Sequence, residues 1–302
     1  MKRPPPSLLI IATVVASLLC MGAPPPAAAQ LDIEVSEDLY EFRLADGSEV
    51  IGYVTGVGEG IVRIVTVAGA RIEVERHEIR SMRPARGRLV NGAFWGEDPN
   101  ISRLFVGATG RTIARGQGYV AAHELFVPLV AYGLTDAITV AAGTPIIPEV
   151  IGRIWYVAPK LRVWSRSGMD LSVGAVAVAS EETDFPGNAG LLYLTGTFGT
   201  ADRAISIGPA WLHELEAGDD ETAGNTPVVM VGGEYRLGPS IKLITENYAG
   251  IAGTRRGGFL AGGVRIFGER LSADLGAGIG VGTGGAPVIP IVSVVYNFGR
   301  GR

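Results

Sequence analysis

The sequence predicts an all-β protein in two parts, and three observations carry that prediction. Of 302 residues, 44 are glycine, 47% are hydrophobic and only 19% are charged. The mean hydropathy is +0.29, yet beyond the extreme N-terminus no stretch holds the roughly 18 uninterrupted apolar residues of a membrane helix. From Tyr40 to Phe298, apolar and polar residues alternate with a period of two between turn residues, which is the pattern of strands. An apolar chain without apolar helices carries its hydrophobic surface on strands. The hydrophobic share excludes a disordered chain, and a net charge of -4 speaks against a nucleic-acid binder, which shows a basic excess.

Residues 1–29 read as a secretory signal peptide. Lys2 and Arg3 give the positive start, Ser7 to Ala23 the apolar stretch, and Ala27-Ala28-Ala29 the small-residue cleavage site before Gln30. Cys20, the one cysteine, follows Ser17-Leu18-Leu19, whereas a lipid-modified cysteine follows a small residue; a lipid anchor is not expected. The exported chain then holds no thiol for a disulfide or a thiolate metal site.

Residues 36–83 read as a small strand-rich module. Turn residues at Asp46-Gly47, Gly58-Glu59-Gly60 and Ala68-Gly69 separate four or five short strands, and Asp46-Gly47 is the clearest hairpin signal because both residues tolerate positive backbone angles. The order carried by Leu44, Asp46, Gly47, Gly52, Val54, Thr66, Gly69, Ile79 and Met82 resembles the Sm-like and SH3-like small barrels. RNA binding, known among Sm-like barrels, is rejected: an exported chain meets no RNA, and no aromatic cluster flanks a basic groove. His77 lies in Glu75-Arg76-His77-Glu78, a solvated charged stretch with too few ligands for a metal. Residues 84–100 read as a linker; Arg86 and Arg88 in it, with Arg83 just before it, either touch anionic head groups or solubilise the connection, and Phe94-Trp95 is suited to an interfacial anchor.

Residues 101–302 read as twelve antiparallel strands, at 103–109, 118–131, 136–145, 153–165, 170–180, 189–198, 203–214, 227–237, 240–249, 257–267, 271–281 and 287–298. Breaks after the even-numbered strands are tight, as at Leu134-Thr135 and Gly238-Pro239; those after odd-numbered strands are mostly long, as at 110–117 and 216–226. Short turns on one end and long loops on the other are the signature of an up-and-down transmembrane β-barrel. In hydrocarbon, closure follows from the need to pair every backbone polar group. Alternation then assigns the faces. Leu271, Ala273, Leu275, Ala277, Ile279 and Val281 share the lipid parity of the eleventh strand, and Asp274 falls on the other. By the same test Lys160, Arg162, Glu234, Arg236, Lys242, Glu246 and Arg265 point into the lumen, since a charge facing lipid at the midplane costs about 2–4 kcal/mol. The second strand resists: Glu124 shares parity with Phe126, and His123 with Leu125. Tyr132, Trp155, Tyr156, Trp164, Trp211, Tyr235, Tyr248, Tyr296 and Phe298 are candidates for interfacial girdles.

The closing Ser293-Val294-Val295-Tyr296-Asn297-Phe298 resembles the C-terminal signal of bacterial outer-membrane β-barrels, although Gly299-Arg300-Gly301-Arg302 follows the phenylalanine. That resemblance implies outer-membrane location with the module in the periplasm, and as partners outer-membrane lipid, the barrel assembly machinery and, through the module, a periplasmic protein. Enzymatic chemistry is not expected. His123 and His213 lack the serine-asparagine surroundings of the outer-membrane phospholipase, and a nucleophile needs its base within reach. Gly276 to Gly282 lacks the lysine and helix of a phosphate loop, and is explained by crowding in a narrow lumen. Asp219-Asp220-Glu221 and Glu181-Glu182 with Asp184 lack calcium-loop spacing. No cofactor or metal is expected. The interior charges read either as a salt-bridged network that fills the barrel or as the lining of a narrow small-solute pore.

Overall fold

The computed structural model describes residues 32–148, 151–180, 189–214, 226–250, 257–282 and 287–299. The signal-peptide segment and the acidic stretches at 181–184 and 219–221 lie outside them. The chain divides into two compact units between Phe94 and Trp95.

The first unit is a five-stranded antiparallel sheet. Its strands are β1 (Tyr40–Leu44), β2 (Glu49–Val57), β3 (Ile61–Thr66), β4 (Arg71–Glu75) and β5 (Ile79–Pro84), in the order β4-β3-β2-β1-β5. A single 3-10 turn, Arg76–Glu78, leads into β5. Period-two burial is plain in β3, where Val62 and Ile64 are covered and Ile61 and Arg63 are not. These residues join Ile33, Phe42, Val54, Val74 and Ile79 in one core. Gly47 turns the first hairpin at φ 89°, and the Asp46 carboxylate accepts the Ser48 N–H at 2.8 Å. A short hairpin follows, β6 (Gly87–Val90) with β7 (Ala93–Gly96), within the stretch that composition marks as a linker.

The second unit is a closed antiparallel barrel of twelve strands: β8 (Gly118–His123), β9 (Val127–Gly133), β10 (Ile138–Gly143), β11 (Ile154–Arg166), β12 (Met169–Ser180), β13 (Ala189–Gly199), β14 (Arg203–Glu214), β15 (Thr226–Gly238), β16 (Ile241–Gly250), β17 (Gly258–Phe267), β18 (Leu271–Val281) and β19 (Val288–Phe298). Each strand pairs with its sequence neighbour, and β19 pairs with β8 to close the ring. The tight connections at 134–137, 167–168, 200–202, 239–240 and 268–270 share one end, the turn end, where β8 begins and β19 finishes.

The count of twelve agrees with the sequence reading, but the membership does not. Residues 103–109 form no wall strand. They make an isolated bridge between Arg103 and Ala108 inside the barrel, and alternation alone does not separate an interior hairpin from a strand of the wall. The predicted strand 118–131 is two strands, β8 and β9, turned at Glu124 and Leu125 with φ of 49° and 61°. The conflicting parity at His123 to Phe126 is that turn.

The outer face is apolar. Leu161, Leu192, Ile207, Leu243, Leu260, Leu275 and Val294 are all exposed on it, while the residues between them in each strand point inward. Trp155 and Trp164 stand at the two ends of β11 and are both exposed, roughly 25 Å apart across a tilted wall. Trp211 joins the first level; Phe198, Tyr235 and Tyr296 join the second. Tyr156 and Tyr248, girdle candidates by position, instead share the inward parity of Lys160 and Glu246. Tyr248 donates to Glu246 Oε1 at 2.7 Å.

Lumen glycines make room for the interior chain: a Cβ on Gly232 would overlap Leu104, and one on Gly276 would stand 3.2 Å from Phe105. Gly232→Val is therefore expected to destabilise the protein by about 1–3 kcal/mol through overpacking, read as a lowered thermal midpoint in detergent by circular dichroism. An unchanged midpoint would contradict this packing.

Candidate functional site

One polar row crosses five strands. Lys242, Arg265, Asp274, Ser293 and His123 are successive Cα partners on β16, β17, β18, β19 and β8, and Arg236 on β15 faces Lys242. Such a row, buried from water, demands partners for every charge. Residues 97–117 supply them for Lys242, Arg265 and Asp274 by running through the turn-end half of the lumen.

Arg265 donates from Nε to Asp274 Oδ1 at 2.6 Å, and its two remaining nitrogens reach the carbonyls of Asn100, Arg103 and Leu104. Lys242 donates to Asp98 Oδ2, Glu234 Oε2 and the Ala201 carbonyl, each at 2.7 Å. Lys160 donates to the carbonyls of Ser102, Thr109 and Arg111. In the opposite direction Arg103 reaches Asp274 at 2.6 Å and Arg111 reaches Glu234 at 2.6 Å. Glu246 accepts the backbone N–H groups of Val106 and Gly107. Gly110 N–H and Ile113 N–H donate to Thr197 and Thr139 on β13 and β10. The inner segment is thus held from β10 round to β18.

The structure brings Lys160, Glu234, Lys242, Glu246, Arg265 and Asp274 onto this segment. Arg236 turns to Asp202 at 2.9 Å and lies over the rings of Trp95 and Phe267, so Trp95 packs against a cation rather than standing free as an anchor. Arg162 is half-buried. Asp98, Asn100, Arg103 and Arg111 are the residues that sequence reasoning missed, because they fell in a predicted linker, a predicted strand and the predicted loop after it. Arg103 at the start of that strand, with Arg111 just beyond its end, is the signal that was available.

Arg103 is imperfectly matched. Its Nη1 serves the Leu104 and Phe105 carbonyls and Asp274, while Nε and Nη2, like Asn100 Oδ1, are buried with no hydrogen-bond partner. Its guanidinium lies 5.8 Å from the centre of the Tyr119 ring. Ser293 and His123 face each other, but the serine hydroxyl donates to Asp274 Oδ2 at 3.0 Å. Among the described residues no hydrogen bond joins that hydroxyl to His123, so nucleophile and base are not coupled. His213 is exposed on β14, a strand not adjacent to β8.

No family model matches the chain, and no curated protein matches it. Among solved structures it is similar to the KdgM porin in complex with disordered oligogalacturonate, at 11% identity over 60% of this chain and 98% of that one, with a TM-score of 0.47. The NanC porin follows at 9% identity, 60% and 97% coverage and a TM-score of 0.41. The outer membrane channel DcaP of Acinetobacter baumannii gives 10%, 86%, 94% and 0.32. The fold rests on the closed register described above, not on these distant likenesses.

Asp98 gives the inner segment a pH signature. Burial opposes its charge, but Arg265 and Lys242 outweigh burial and hold its carboxyl below the usual carboxylate range. A depressed folded pKa contributes stability that is present above the unfolded value and lost as pH falls through the folded one. Asp98→Asn is expected to lower the thermal midpoint at neutral pH and to flatten its decline on acidification below about pH 4. Parallel wild-type and variant profiles would show that Asp98 is not held as an anion.

Proposed function

We propose that the chain is an outer-membrane β-barrel closed at its turn end by its own residues 97–117, acting as an envelope-structural element that holds a small β-module in the periplasm. The single observation behind this reading is the inner segment, whose charges and carbonyls consume the polar lining that a solute would need. Membrane residence is supported by the apolar outer face between two aromatic levels and by strand pairing that closes the wall on itself. Both ends of the barrel lie at the turn end, which in exported barrels faces the periplasm. A signal peptide over residues 1–29 would direct the export. The strand order β4-β3-β2-β1-β5 with a 3-10 turn before β5 supports the Sm-like or SH3-like assignment of the module. A periplasmic protein is the partner such a module would take, and lipid and the assembly machinery are those of the barrel.

A narrow small-solute channel is the second reading. It is favoured by one observation: side chains, not strand pairing, hold the inner segment, and the Arg103 to Ala108 bridge is isolated. Removing one partner of a buried pair costs about 3–5 kcal/mol, so the double variant Arg103→Ala, Arg111→Ala is expected to free the segment. In planar bilayers the full chain should be nearly non-conducting and the double variant should open, with heat-modifiable gel migration reporting that both are folded. Steady conductance of the unaltered protein, unchanged by the double variant, would replace the sealed reading with the channel.

A further inference from the structure

The two halves of the lumen differ in chemistry. Carrying the inward parity of the buried charges toward the loop end gives Tyr156 on β11, Val178 on β12, Tyr193 on β13, Val228 on β15, Tyr248 on β16 and Phe259 on β17. On these strands the nearest inward charges are Lys160, Glu234, Glu246 and Arg265; beyond them toward the loop end no described Asp, Glu, Lys, Arg or His side chain shares that parity. These residues point inward and are only half-buried, so each keeps a face on open space, although Tyr248 and Phe259 also pack on the cluster around Phe105. The tip of the inner segment closes the floor. Phe105 packs on Met230, Ile244, Ala261 and Ile291, and Val106 beside it is 66% exposed.

The wall of this space is low on one side. Strands β8, β9 and β10 have 6, 7 and 6 residues, while the other nine have 10 to 13. At about 3.3 Å per residue the short strands run near 20 Å before tilt, less than a membrane-crossing strand needs. The last β8–β19 pair is His123 with Ser293, and β19 continues outward to Val288. Glu124 N–H donates to the Val292 carbonyl; two residues further along that same edge stands Pro290, which has no N–H to leave unpaired. At the hairpin tip Glu124, Leu125 and Phe126 are all exposed, and Ile146 and Ile147 are exposed alongside, Ile146 N–H donating to the Phe126 carbonyl. Four of these five side chains are apolar, with Glu124 the one charge, so the tip offers mostly hydrocarbon.

We propose that the loop-end half of the lumen is a cup for one acyl chain of a membrane lipid, entered sideways over the β8–β9 hairpin. The proposal rests on the membrane reading above. An apolar space of this kind stays dry and takes apolar molecules. Its rim is continuous with the lipid-facing exterior through Leu125 and Phe126, which makes a neighbouring lipid the occupant. The polar row beneath stops the chain from passing through.

The test uses the full chain in dioleoylphosphatidylcholine vesicles containing a phosphatidylcholine with a photoreactive diazirine at the end of one acyl chain. After irradiation, labelled residues are mapped by peptide mass spectrometry. The expected result is label on inward residues such as Tyr193, Tyr248 and Phe259 in addition to outward Leu192, Val231 and Leu260. Label on the outward residues alone overturns the cup and leaves the membrane reading standing; label on neither face removes both. Val178→Asp places a charge in the cup and is expected to cut inward label roughly tenfold without changing outward label or heat-modifiable migration. Inward label undiminished in that variant, with folding intact, also overturns the proposal.

Discussion

The structure depends on neutralising buried cations in a space too narrow for water to do so. Among the described residues, six basic side chains are buried in the barrel, Arg103, Arg111, Lys160, Arg236, Lys242 and Arg265, against four buried carboxylates. Asp202 serves Arg236 and Asp170 stands 3.6 Å from Arg111, so carboxylates match cations in number but not in place. The cations they do not reach are met by backbone carbonyls, and these come largely from one stretch of chain. Lys160 has no carboxylate partner and is held by three carbonyls of the inner segment. Empty the lumen, and Lys160 and Arg265 lose most of their acceptors. A wall with these residues and a filled interior are therefore one design, since uncompensated buried charge is among the costliest features a protein can carry.

The glycines follow from the same constraint. Gly232 and Gly276 lie on the inward parity of β15 and β18, where Leu104 and Phe105 come within van der Waals reach of the backbone. Further round, Gly174 and Gly143 leave space for the rings of Tyr193 and Tyr156 to lie across neighbouring strands. A strand with glycine at alternate positions is weakened in isolation. In this barrel the loss is offset because each strand is paired on both sides, and the absent side chains are where the segment and the aromatic rings pack.

Much of this was legible in the sequence, and the part that was not has a physical explanation. Parity is strict in β18 because lipid-facing and inward residues differ so sharply, and Asp274 could be assigned inward from its neighbours alone. The tight turns at Gly168, Gly238 and Gly268 fixed one end of the barrel. Arg103-Leu104-Phe105 has the same local alternation as a wall strand, however, and its burial in the lumen depends on contacts with β16, β17 and β18 that lie some 140 to 170 residues away. No local pattern encodes such contacts. The β8–β9 hairpin was missed for a different reason. Glu124 and Leu125 adopt positive φ without a glycine between them, so the only trace of the turn was a parity that failed to continue. A register that breaks at a single point, flanked by two strands that each alternate well, is better read as a turn than as an irregular strand.

That missed hairpin is also where the barrel departs from an even cylinder. If β8 and β9 matched their neighbours, the loop-end lumen would be a closed well reached only from its mouth. Because they stop at His123 and Val127, the adjoining strand carries on with one edge facing no strand, and Pro290 occupies that edge where an N–H would otherwise go unpaired. Exposed edges of this sort invite other strands, and proline discourages them. The combination of a shortened hairpin, a proline-guarded edge and a tip exposing Leu125 and Phe126 is hard to explain as economy of chain, since the long strands opposite are kept at full height. It is explained if the low side of the wall has a use, one that sets these two side chains against hydrocarbon. The charged row lies just below that level, and the aromatic and aliphatic residues of β11 to β17 lie above it, so the boundary between the two chemistries runs at the height where the wall drops.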